Sequence, residues 1–179
     1  MSSRAPALFA ALALCLSGAT ATAAPLKVPL PGGTASVTID DTQWRRDSEE
    51  DGVVTYVCQR RDCPGGTLLR LKREVLKGAE ADLSEKELFE TWNGLTVNSQ
   101  EGGFTTKSIA RARRKNFGAV RGVEMRLAVR GGSGSFETRL FWVPQGHSRL
   151  SVNVITRQPV RGDILARLQR MVIPTLELK

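Results

Sequence analysis

The chain is poor in the residues that carry most enzyme chemistry. It has one histidine, three cysteines and one tyrosine in 179 residues. A single imidazole excludes a multi-histidine metal centre and leaves His147 as the sole candidate imidazole base. His147 follows Pro144 and Gly146 in a predicted turn, where an imidazole is ordinarily solvated. Gly-x-Ser-x-Gly and His-Glu-x-x-His are both missing. Gly131-Gly132-Ser133-Gly134 lacks the Lys and the helix of a phosphate loop. Glu49, Glu50 and Asp51 could ligate a cation, but adjacent carboxylates in a turn read first as solvent-facing charge. These patterns imply no catalytic residue, no metal site and no cofactor.

Long apolar runs are also missing. The longest, Ala7 to Leu16, is far short of the roughly 20 residues that span a bilayer. With Arg4 before it and Ala21-Thr22-Ala23 after it, this run reads as the core of a secretory signal peptide. Cleavage after Ala23 avoids placing Pro25 first and divides the chain into a leader, 1–23, and one globular domain, 24–179. Cys15 lies in the apolar run, but the preceding Leu14 is not the small residue of a lipidation signal. The expectation is an exported, periplasmic protein without a transmembrane anchor, with full secretion as the alternative.

Removal of the leader leaves Cys58 and Cys63, with four residues between them. In an oxidising compartment this spacing predicts a disulfide pinning a hairpin tip. Arg60 and Arg61 would also lower a thiol pKa, so a thiol-redox site is the competing reading. The spacing is not Cys-x-x-Cys, and no helix start follows it.

Charge points to partners. The net charge of +8 favours anionic ones, an envelope component or an acidic protein. Export argues against nucleic acid. Arg111, Arg113, Arg114 and Lys115 form a basic run on a predicted strand, and Arg126 and Arg139 could join it on neighbouring strands. These five arginines form the candidate anion- or partner-binding patch. Cross-strand pairing of the same arginines with Glu124 or Glu137 is the plainer reading.

Hydrophobic patterning predicts strands near Thr34 to Ile39, Val53 to Gln59 and Thr67 to Arg73, the last with Leu68, Arg70 and Lys72 on one face. Ser84-x-x-Glu87 forms a capping box before Leu88, Phe89, Trp92 and Leu95. Further strands follow at Phe104 to Arg113, Gly122 to Arg130, Phe136 to Val143 and around Leu150 to Val154. A helix from Val160 to Ile173 precedes Pro174, and a short tail strand could follow. Pro25 to Gly33 reads as an extended leader, Asp47 to Gly52 as an acidic turn and Gln100 to Gly103 as loop. The expected fold is α+β, a mainly antiparallel sheet of six to seven strands with two main helices, in the order βββαββββα. Phe141 has the opposite parity to Trp142, which requires covering layers on both faces of the sheet.

Val37-Thr38-Ile39-Asp40-Asp41-Thr42-Gln43-Trp44, the Gly122 to Val143 hairpin and the closing Ile173-Pro174-Thr175-Leu176 resemble the PsbP-like fold family. Asp40 stands where that family has Pro. The resemblance implies a PsbP-like sandwich and an accessory or binding role rather than catalysis. The functional expectation is therefore a non-enzymatic periplasmic accessory or binding protein. The alternatives are a thiol-redox or other small periplasmic enzyme, and an envelope-complex subunit that binds through sheet edges.

Overall fold

The computed structural model describes residues 25–30, 35–132, 134–157 and 163–178. The expected leader and its cleavage site lie outside the described residues. The chain is mostly β, which corrects the expectation of six to seven strands with two main helices. Among the described residues eleven strands build two antiparallel sheets, one of three strands and one of eight. The two helices are short, at eight and nine residues.

The small sheet pairs β1 (Leu26–Pro29), β2 (Ala35–Ile39) and β11 (Leu176–Leu178), with β2 in the middle. The large sheet begins with β3 (Trp44–Glu50), β4 (Val53–Cys58) and β5 (Leu68–Val75). Its other half contains β6 (Asn98–Glu101), β7 (Phe104–Phe117), β8 (Val120–Gly131), β9 (Gly134–Gln145) and β10 (Ser148–Thr156). The strand order is β3-β4-β5-β10-β9-β8-β7-β6, so β5 pairs with β10 across a long stretch of sequence and joins the halves. β3 and β6 are the edges, and β3 carries a register shift between Arg46 and Ser48.

Three strands escape the hydrophobic pattern. β3 reads WRRDSEE and β6 reads NSQE, with no apolar alternation because their outward positions face water. β1, within the expected extended leader, is half of a pairing with β2 that only the tertiary fold supplies.

Both faces of the large sheet are covered, unequally. On one face Phe141, Val152, Leu71 and Val54 form a buried row. Leu165, Leu168 and Val172 of α2 (Ile164–Val172) and Val37 and Ile39 of the small sheet belong to the same core cluster. Phe141 is thus enclosed in a second layer, as its parity requires. On the opposite face α1 (Glu85–Trp92) sets Leu88 and Trp92 on Val123, Met125 and Leu127. Each such side chain, once fully buried, contributes about 1.5–3 kcal/mol. α1 starts at the expected capping box: Ser84 accepts from the Glu87 amide and the Glu87 carboxylate accepts from the Ser84 amide. α1 packs chiefly over β7, β8 and β9. Among the described residues no α-helix lies on the same face over β4, β5 and β10; a single 3-10 turn, Gly78–Glu80, reaches Arg149 at its rim.

Candidate functional site

The uncovered half of that face contains a cleft of about 280 Å³. Strand register assembles it. Arg70 of β5 stands opposite Asn153 of β10, Lys72 opposite Ser151, and Glu74 opposite Arg149. On the next strand Leu140 flanks Asn153 and Trp142 flanks Ser151. The lining thus holds three cations, Arg70, Lys72 and Arg149, against the single carboxylate of Glu74.

The cations differ in how firmly they are held. The Arg149 guanidinium lies 4.0 Å from the centroid of the Trp142 ring. Its Nε donates to Glu74 Oε2 at 2.8 Å, and its Nη1 is 3.6 Å from Glu80 Oε2. Glu80 also accepts from Trp92 Nε1 at 2.7 Å, and Trp92 meets Trp142 edge to face at 5.3 Å. Arg149 is therefore fixed by stacking and by two carboxylates, of which Glu80 is anchored to the α1 layer through Trp92. Lys72 shares Glu74 at 3.3 Å. Burial pushes the Glu74 carboxyl up, but bonds and charge from Arg149 and Lys72 outweigh it and hold the group below its ordinary 4.5. Arg70 is exposed and has no ion-pair partner among the described residues. It is the uncommitted charge of the cleft.

The five arginines singled out in the sequence lie elsewhere and do not form one group. Arg126 and Arg139 are direct cross-strand neighbours, but on the α2 face. Arg139 is only 6% exposed; it donates to Glu124 at 3.0 Å and to Asp163 beside α2. Arg113 reaches the same Glu124 at 3.4 Å, while Arg126 pairs with Glu137 at 3.4 Å. Lys115 donates to Glu124 at 2.8 Å. Glu124 thus gathers three cations; burial pushes its carboxyl up, and Lys115 and Arg139 bring it below the ordinary 4.5. Arg114 lies on the other face, over the Phe89 ring of α1 at 5.9 Å. Arg111 is exposed, within the register shift of β7 between Ala110 and Arg113.

Cys58 and Cys63 are joined by a disulfide, and both pack against the larger core cluster. In that loop Arg60 donates to Asp62 at 2.7 Å and holds the Asp62 carboxyl down at about 2. The Arg60 charge is thus directed to Asp62. His147 is exposed, with Nδ1 3.2 Å from the Ala81 carbonyl oxygen. Among the described residues no group of three or more His, Cys, Asp or Glu side chains could hold a metal ion. No described helix is long and apolar enough to cross a membrane.

No family model and no curated protein matches the chain. Among solved structures, a protein of Bacteroides thetaiotaomicron VPI-5482 determined at 1.50 Å is similar, with a TM-score of 0.56 and 12% identity. The match covers 86% of this chain and 48% of that protein, so the chain spans about half its length. At this identity the likeness extends to the fold alone.

Proposed function

We propose that the chain is an exported, non-enzymatic accessory or binding protein of the periplasm that holds anionic groups on the open half of its large sheet. The observation that carries this reading is Arg70, an exposed guanidinium without an acidic partner among the described residues, beside Lys72 and Arg149 in one cleft. Asn153, whose Oδ1 accepts from Thr138, adds a neutral amide donor to the same lining, while the Ser151 hydroxyl donates to Glu74 at 3.2 Å. The uncommitted guanidinium of Arg70 favours carboxylate or phosphate oxygens, and Lys72 and Arg149, which share their charge with Glu74 and Glu80, add to the positive potential beside it.

Calorimetric titration with inorganic phosphate and with glutarate tests the reading. Saturable binding is expected, weakened at least tenfold in Arg70→Ala, with an unchanged far-ultraviolet circular dichroism spectrum. Arg111→Ala, away from the cleft, is expected to bind like the parent. Binding of neither anion, or equal affinity of the parent and Arg70→Ala, rejects the site.

A further inference from the structure

We propose that the occupant of this cleft is an extended acidic segment of a partner protein, with its side chains pointing down onto β5. The inference rests on the anion-holding reading above and adds the shape of the ligand to it.

The argument is one of spacing. Successive residues on one face of a strand are separated by about 7 Å. Leu68, Arg70 and Lys72 therefore present three equally spaced steps along β5. Each step is widened by its neighbours. Leu68 is flanked by Val57 and Ile155, all half-buried on the uncovered face. Arg70 and Lys72 are flanked on β10 by Asn153 and Ser151. From Leu68 to Lys72 this face of β5 thus reads as apolar, cationic, cationic, with the two cations lining the cleft and Leu68 one step outside it.

An extended polypeptide has the same repeat, because its alternate side chains share a face. A segment with an apolar residue and two acids at alternate positions would set the apolar side chain on Leu68 and its carboxylates on Arg70 and Lys72. A free phosphate satisfies one step only. A lipid head group concentrates its charge at one point and leaves the second cation unmatched. The periodicity of the charges therefore favours the peptide. The next step of the cleft limits the segment, because Arg149 is already shared between Glu74 and Glu80. A third acid placed there would face two carboxylates.

Two fluorescent peptides of identical composition test this, measured by anisotropy against the full chain. One carries a leucine and two glutamates at alternate positions separated by threonines. The other carries the two glutamates side by side, so that they point to opposite faces of an extended chain. The alternating peptide is expected to bind at least tenfold more tightly. Arg70→Glu/Lys72→Glu is expected to abolish that preference while retaining the parent melting profile. Equal binding of the two peptides overturns the inference but leaves the anion site standing if phosphate still binds. Failure of peptides and phosphate alike removes both readings. Binding to phosphatidylglycerol vesicles as tight as to the alternating peptide, and lost in the same double variant, overturns the inference in favour of a lipid surface.

Discussion

Glu124 is 1% exposed and accepts from Lys115 and Arg139, with Arg113 at the outer side. Its neighbours Arg113 and Arg139 belong to the arginines that the sequence suggests as one outward patch. The structure turns Arg139 inward, where charge can be tolerated only if it is matched. Glu124→Gln keeps the shape and removes the charge, leaving Arg139 with Asp163 as its acid. The expected cost is about 3 kcal/mol in urea unfolding, the range for breaking a buried pair. The pH dependence has a definite sign. The folded carboxyl lies below the ordinary 4.5, so its stabilisation is complete above that value and is lost as the pH falls through the lowered one. Urea midpoints measured across this acidic window should fall less steeply in Glu124→Gln than in the parent. Equal slopes would locate the acid sensitivity in other carboxylates, Glu74 and Asp62 among them.

At the scale of elements, β8 must approach β9 without a side chain at Gly122. A Cβ there would lie 2.4 Å from Phe141 Cζ and 2.4 Å from the Trp142 carbonyl oxygen. Gly122→Ala is therefore expected to lose about 1–3 kcal/mol through overpacking, read as a lower urea midpoint. The Cys58–Cys63 staple ties the end of β4 to the turn before β5. Replacing both cysteines by serine should cost about 2 kcal/mol by the chain-entropy model. Insulin reduction by the parent should stay at the background rate; turnover that disappears with Cys58→Ser would assign a redox role instead. The legible elements were those with local signals. Ser84 and Glu87 announced α1, and the alternation of Val123, Met125, Leu127 and Val129 announced β8. Strands β1, β3 and β6 had no such signal. Their extended form is imposed by a neighbour: β3 is written in charges, and β6 has no apolar residue at all. The first turn expected for the last helix, from Val160, lies outside the described residues, and α2 is described from Ile164.

For the whole molecule, the decisive asymmetry is between the two faces of one sheet. α2 and the small sheet close one face, while α1 covers only part of the other. The sequence held half of this. The parity of Phe141 against Trp142 demanded two layers, and Leu68, Arg70 and Lys72 were legible as one face of a strand. Their meeting with Arg149, Ser151 and Asn153 was not, because it depends on β5 pairing with a strand some 75 residues away in the chain. Charge density in the sequence is highest instead at the run Arg111 to Lys115, whose members divide between two faces and a bulged segment. The edges of the large sheet matter for how copies of the chain behave together. An edge strand is a template on which another strand can grow. β3 offers a ladder broken between Arg46 and Ser48 and lined with charges of both signs, and β6 offers only four residues. Crowded molecules would meet an irregular or truncated margin at either end. The rims of the eight-stranded sheet are therefore poor templates for strand addition between copies.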